Sequence, residues 1–309
     1  MKNIVHRIPL DARVARLDRY LADALALSRA KVMEAFEKGE VRVDGRRAKK
    51  GDRVAPGSEV TAAIAAESSP PLAQPELPLA VLLEDAAFVV LDKPAGMPTH
   101  PLEEDERGTL ANALIARYPE CAKASDDVRE CGFAHRLDVE TSGTIVAARS
   151  AAAWRALRDR FGAREVGKRY LALVGGAPGE GGEIDIPIAH HPKNPRRMVA
   201  CATEEDARRL KARPALTRLR VLERLGDFTL VEVEIPTGVT HQIRVHLAAV
   251  GAPVAGDALY GGPPVEGLDR QFLHAARLEF VHPASGAKVS TEAPLPGELE
   301  RVLARLRGP

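Results

Sequence analysis

Residues 135–143 read His135-Arg136-Leu137-Asp138-Val139-Glu140-Thr141-Ser142-Gly143 and pass directly into Thr144-Ile145-Val146-Ala147-Ala148. The second run is apolar and β-branched, which predicts a buried strand. The first run is then a loop that delivers one carboxylate, Asp138, to the edge of a core. Arg136 and His135 flank it, and two hydroxyls and a glycine follow. A carboxylate fixed beside a cation has its charged form favoured. That suits a nucleophile or a general base better than a general acid. A lone Arg-x-Asp is usually a weak surface ion pair, so the reading depends on the whole nonapeptide and on its surroundings.

Upstream, Val81–Glu84 and Phe88–Asp92 read as two strands joined by a tight turn, and Lys93-Pro94-Ala95-Gly96-Met97-Pro98 as a loop leaving a sheet. Thr109 caps a helix through Tyr118, and Cys121–Asp127 is polar loop. Downstream, Ser150 caps a helix with Trp154, Leu157 and Phe161 on one face. Lys168–Gly175 alternates as a strand, with Tyr170, Ala172 and Val174 together. Ile184, Ile186 and Ile188 predict another strand, and His190–Met198 a basic loop whose Arg196 and Arg197 are phosphate-contact candidates. Leu219–Val221 and Leu230–Ile235 form an antiparallel pair around Gly226-Asp227. Pro236–Val239 then turns into a helix from Thr240, with His241 and Arg244 on one face and Ile243, Leu247 and Val250 on another. Neither His190-His191 nor the pair His241 and His246 has metal-ligand spacing, so no metal and no cofactor are expected. Strands recur without regular alternation with helices. That predicts an α+β fold built on a large, mostly antiparallel sheet rather than a doubly wound parallel one.

The first 65 residues have a different character. Leu17, Tyr20, Leu21, Ala24 and Leu25 recur at helical spacing, Ser28 caps a second helix carrying Val32, Ala35 and Phe36, and Gly39 ends it. Val41-Arg42-Val43 followed by Asp44-Gly45 predicts a hairpin. Arg29, Lys31, Arg42, Arg46, Arg47 and Lys49 supply cations around it. Residues 1–60 hold 14 Lys/Arg against 9 Asp/Glu, whereas the remainder is net acidic and the whole chain only +1. A basic cluster of this kind is the footprint of a phosphate-backbone binder. Residues 66–79 contain four prolines and read as an extended, stiff linker. The expected organisation is a helix-hairpin domain at 13–65, that linker, and a larger domain at 80–309.

At 309 residues the chain can bury a sizeable core, and with aromatics at 4% that core is built from Ala, Leu and Val. Three cysteines without metal-like spacing read as reduced thiols of a cytoplasmic protein. The N-terminus lacks the apolar stretch of a signal peptide, and no run is long enough to span a membrane.

The segment His135–Gly143 resembles the motif His-Arg-Leu-Asp-x-x-Thr-Ser-Gly of the RluA-type pseudouridine synthases at every fixed position. The likeness extends to Asp92-Lys93-Pro94-Ala95-Gly96, Lys168-Arg169-Tyr170-Leu171-Ala172, Thr237-Gly238-Val239-Thr240-His241-Gln242-Ile243-Arg244-Val245-His246 and Gly251–Asp257 with Tyr260-Gly261. Residues 13–64 are similar to the S-four-type RNA-binding domain. The resemblance implies that Asp138 is the catalytic aspartate, that Arg244 pairs with it, and that Tyr170 packs on the target base. By the same resemblance, Arg136 fills the space that the base leaves in the RNA, and the second helix and hairpin of the small domain face RNA. His135 and His241 stand with them as RNA-facing candidates. One departure is Val239, where the family usually carries Arg; it bears on RNA contact or target choice more than on the chemistry.

The implied reaction breaks a uridine glycosidic bond, turns the base and rejoins ribose C1′ to base C5. Asp138 could abstract the C2′ proton, or attack C1′ or base C6 covalently, and sequence does not separate these routes. The base must leave its stack to reach a pocketed aspartate. Family members with the appended domain mostly modify large-subunit ribosomal RNA and those without it more often transfer RNA, so ribosomal RNA is the expected partner of a monomeric enzyme, with a transfer-RNA pseudouridine synthase as the alternative. Two other classes compete. A non-catalytic RNA-binding assembly factor would not need both Asp138 and Arg244. A retaining glycosidase would need a second carboxylate about 5 Å away, for which Glu140 is the nearest candidate.

Overall fold

The computed structural model describes residues 2–12, 15–25, 27, 29–64, 69–103 and 105–308. The chain divides into two compact units, 1–68 and 69–309. The smaller has strands β1 (Lys2–Arg7), β2 (Val41–Val43), β3 (Arg46–Arg47) and β4 (Glu59–Ile64), and helices α1 (Leu17–Ala24) and α2 (Arg29–Lys38). Its antiparallel sheet has the order β1-β4-β2-β3 and packs Val41 and Val60 against Leu17, Leu21, Val32 and Phe36. Asp44 (φ 47°) and Gly45 (φ 78°) turn the β2–β3 hairpin, as the Asp-Gly signal predicts. Strand β1 carries no strong alternation and was not expected; it is held by its full-length register with β4. Ser28, the expected cap of α2, lies outside the described residues.

The larger unit holds strands β5 (Ala80–Glu84), β6 (Phe88–Lys93), β7 (Ser142–Ala148), β8 (Gly167–Gly175), β9 (Gly181–Asp185), β10 (Ile188–His190), β11 (Met198–Ala200), β12 (Leu216–Leu225), β13 (Phe228–Glu234), β14 (Leu273–Val281) and β15 (Lys288–Glu292). Its helices are α3 (Leu110–Arg117), α4 (Ala151–Gly162), α5 (Glu204–Arg209), α6 (Gln242–Ala249) and α7 (Gly297–Arg307). The main sheet runs β5-β6-β7-β14-β8-β13-β12-β9, with β15 also on β14. Every neighbouring pair is antiparallel except β7 and β14. The fold is therefore α+β with a mixed, mostly antiparallel sheet. Alternation sorts the two faces. Val89, Leu91, Ile145, Ala147, Tyr170, Ala172 and Val174 point to the cluster under α3 and α6. Phe88, Val90, Val146 and Ala148 point to Trp154 and Leu157 of α4. Thr109 closes α3 with a capping box and Ser150 caps α4, both as expected.

Four local readings change. Residues 119–123 form a 3-10 turn rather than loop. The expected strand at Ile184–Ile188 is two, β9 and β10, because Pro187 cannot donate a ladder hydrogen bond and the chain leaves the main sheet there. Helix α6 begins at Gln242, not Thr240, and Val250 lies exposed just past its end. Within the expected linker, residues 66–68 are outside the described residues, but 72–79 are fastened to the larger unit. Asn112 Nδ2 donates to the Leu72 carbonyl at 2.7 Å, Gly108 N–H donates to Gln74 Oε1 at 2.7 Å, and Leu77 and Leu79 pack on the main core cluster.

Candidate active site

The Asp138 loop enters β7 where β7 meets β14, and its backbone carbonyls are held one after another. Thr99 Oγ1 donates to the Leu137 carbonyl (3.1 Å) and Thr141 N–H to that of Asp138 (3.0 Å). Lys93 Nζ (2.9 Å) and Gly96 N–H (3.0 Å) donate to that of Val139, and Arg270 Nη1 (3.0 Å) to that of Glu140. The side chains behind the aspartate finish the clamp. Gln271 donates to Thr141 Oγ1, and Arg270 Nη2 donates to Ser142 Oγ, which also bonds the His274 ring. Gly143 follows at φ 114°, where a Cβ would lie 2.2 Å from the Ala275 carbonyl oxygen. The Thr-Ser-Gly of the motif thus fixes the loop to β14, and Asp138 is aimed by a rigid support. Lys93 belongs to the same support. Burial pulls its amine down to about 7, but its three carbonyl partners, those of Pro94, Met97 and Val139 at 2.7–2.9 Å, match the three donors of an ammonium. We read it as charged on that geometry.

Arg244 Nη1 donates to Asp138 Oδ2 at 2.9 Å, joining α6 to the loop. Its other side is forked: Nε to Asp257 Oδ2 at 2.6 Å and Nη2 to Asp257 Oδ1 at 3.0 Å. Burial alone would lower the guanidinium pKa, but the bonds to Asp257 and the nearby Asp138 outweigh it and raise the value, so Arg244 is a permanent cation. Tyr170 projects from β8 into the same space. Burial and then the negative Asp138 push its phenol up. Asp138, Tyr170 and Arg244 line a cleft of about 620 Å³. Arg136, Arg158, Arg164, Lys168 and Arg213 ring it with cations. Lys168 donates to the Thr237 carbonyl at 2.9 Å, and burial lowers its pKa to about 8.

The other expected residues fall in several places. Arg136 is exposed at the cleft. His135 is half-buried at the cleft wall: its Nε2 accepts from Val146 N–H at 3.2 Å and its ring stacks on Phe161. Burial, with Lys168 and Arg158 nearby, pushes it down to about 3, so it is neutral. His241 faces Asp138, with Nε2 3.8 Å from Oδ2. Val239 is buried in an apolar cluster with Ile188, Met198 and Val245 and lends the cleft no charge. Arg196 is exposed at the tip of the β10–β11 hairpin, whereas the Arg197 guanidinium lies 5.4 Å from the Tyr260 ring centre. In the smaller unit Arg42, Arg46, Arg47 and Lys49 are all exposed; Arg29 and Lys31 are in α2, but their side chains are outside the description. Arg42 and Arg47 stand directly opposite across the hairpin. Like charges so placed repel, an arrangement suited to a polyanion. Among the described residues no group of three or more His, Cys, Asp or Glu could hold a metal ion, and no helix is long and apolar enough to cross a membrane.

Sequence reasoning gave no role to Asp257, Tyr260, Lys93 or Lys168. The signal for Asp257 was its place in the matched segment Gly251–Asp257, where Gly256 (φ 77°) admits no Cβ against the Arg270 carbonyl.

One fixed, cation-paired carboxylate in a basic cleft, carried on a chain with a basic helix-hairpin unit, fits an enzyme that works on RNA. The comparisons with known proteins give the class its name. Residues 87–249 match the family described as RNA pseudouridylate synthase, and residues 15–60 match the S4 domain. The chain is 38% identical to a Xanthomonas campestris protein named ribosomal large subunit pseudouridine synthase D, over 97% of this chain and 91% of that one. It is 44% identical to an uncharacterized RNA pseudouridine synthase of Chloroflexus aurantiacus, over 97% and 92%. The solved structure of human RNA pseudouridylate synthase domain containing 4 matches with a TM-score of 0.56 and 26% identity, covering 74% of this chain and 93% of that chain. The chain belongs to the RluA-type family of RNA pseudouridine synthases and is an isomerase that acts on RNA.

Proposed function

We propose that this enzyme isomerises uridines of large-subunit ribosomal RNA, with Asp138 as its catalytic carboxylate acting on a nucleotide turned out of the RNA. The observation that carries the reading is the Asp138–Arg244 pair at 2.9 Å in the cleft beside Tyr170. In the reaction the N1–C1′ bond breaks, a C5–C1′ bond forms, C5 loses its proton and N1 gains one. Whether the carboxylate removes the C2′ proton or attacks carbon, it must act unprotonated, and Arg244 stabilises and aims that form. Tyr170 supplies an aromatic surface for the extruded base. Unstacking costs a few kcal/mol, offset by phosphate contacts from the cleft cations, the Arg196 hairpin and Arg42, Arg46, Arg47 and Lys49 of the smaller unit. Ribosomal RNA is favoured by relatives of that name over nine-tenths of their length. The reading includes a monomer in the cytoplasm, in keeping with three buried free cysteines.

The test is pseudouridine mapping of total RNA, by carbodiimide modification and primer extension, in a deletion strain complemented with wild type or Asp138→Asn. The proposal expects large-subunit sites that vanish on deletion and return only with wild type. Dependence confined to transfer RNA would overturn the target, and restoration by Asp138→Asn would overturn the role of Asp138.

A further inference from the structure

The His241 ring points its Nε2 edge at the Asp138 carboxylate. Its backbone is left-handed (φ 55°, ψ 17°), an uncommon state for a residue with a Cβ, and it stands immediately before α6 as the N-cap position. Its side chain makes no cap hydrogen bond and is directed into the cleft instead. Nδ1 lies 2.8 Å from the Tyr260 hydroxyl, a distance that admits nitrogen and not a ring carbon. The same hydroxyl accepts from Met198 N–H at 2.9 Å. With that oxygen already an acceptor, its own proton is free to go to His241 Nδ1, and the imidazole proton is left on Nε2. That edge faces Asp138 Oδ2 at 3.8 Å, too far for a hydrogen bond between them and open to a third group.

Resting on the proposed role of Asp138, we infer that His241 is a neutral hydrogen-bond donor whose Nε2–H, locked by Tyr260, binds an oxygen of the uracil as it departs from ribose. When N1–C1′ breaks, the bonding electrons leave with the base, and negative charge spreads onto its oxygens. A preset donor there binds the transition state more tightly than the ground state. The permanent cation, Arg244, is committed to Asp138 and Asp257. His241 gives up no proton in this step. Besides Asp138, the charged or titratable groups around its ring are Arg244, Asp257, Arg136 and Tyr260. Burial holds the ring toward neutrality against the pull of Asp138.

Two readouts test this on the full-length chain. Nitrogen NMR of histidine-labelled protein, assigned with His241→Gln, reads the ring directly. At pH 7 the wild type is expected to be neutral with its proton on Nε2, and Tyr260→Phe to mix the two tautomers. A charged ring, or a proton on Nδ1, overturns the inference. Single-turnover release of tritium from C5-labelled large-subunit particles of the deletion strain reads the chemistry. His241→Phe is expected to be about 10²-fold slower at saturating protein with unchanged particle affinity, the usual effect of losing one such donor, while His241→Gln, which keeps an N–H, stays within about tenfold of wild type. Equal losses in both variants, or a wild-type rate in His241→Phe, overturn it. Asp138→Asn run alongside separates the readings: full activity there defeats the catalytic aspartate itself.

Discussion

Arg244 is shared by two carboxylates with different work to do. Asp257, 2% exposed, takes a two-pronged bond and holds the guanidinium; Asp138, part exposed, takes one N–H of Nη1 and faces the cleft. Asp257→Asn leaves a buried cation with half its partner, and breaking a buried pair costs about 3–5 kcal/mol. Urea unfolding is expected to show a loss of that order, together with a fall in turnover, although Asp257 does not itself line the cleft. Arg244→Lys cannot make the fork and is expected to lose activity with a smaller loss of stability. Acid sensitivity also belongs to single residues. Burial lowers His135 to about 3 and His274 to about 4. Between those values and the ordinary histidine pKa of about 6.5 the unfolded chain binds more protons than the folded one, so stability falls as pH drops through that window. Melting temperature is expected to decline from pH 7 to pH 4.5, and less steeply in His135→Gln. Asp138 was legible because its motif is contiguous. Asp257 was not, because its meaning comes from an arginine 13 positions away across a turn, a relation that has no period.

At the scale of elements, periodicity found β5 to β8, the β12–β13 pair and helices α3 and α4, because each packs the apolar side of a regular repeat on the core. It left β1, β4, β11, β14, β15, α5 and α7 unread, and it misplaced bounds where a backbone event interrupts the repeat: Pro187 between β9 and β10, and the left-handed His241 that delays α6. The β7–β14 junction is the element that holds the Asp138 loop in place. Gly143→Ala would drive a methyl group into the Ala275 carbonyl. It is expected to lower both stability and turnover, measured by urea unfolding and tritium release, whereas Gly45→Ala, with open space around its Cβ position, is expected to carry only the backbone cost of its positive φ. The hairpin bearing Arg42, Arg46 and Arg47 makes a separate prediction. Arg46→Ala with Arg47→Ala is expected to weaken RNA binding uniformly and to reduce the slope of log affinity against log salt by about two, one per lost phosphate contact, with single-turnover chemistry at saturation unchanged.

At the scale of the molecule, two units have separate cores. Composition exposed the division through the basic first 60 residues and the prolines near 70. It did not reveal that residues 72–79 are tied to the larger unit, because those ties run through Asn112 and Gly108, neither of which stands out in sequence. The chemistry of the account resides in the larger unit and rests on one carboxylate. Its most direct test is tritium release from C5-labelled large-subunit particles by purified wild type and by Asp138→Asn, an isosteric change that keeps the hydrogen-bonding shape at Arg244. The account predicts stoichiometric release by wild type and none above background by a folded Asp138→Asn. Release by the variant at the wild-type rate would contradict it.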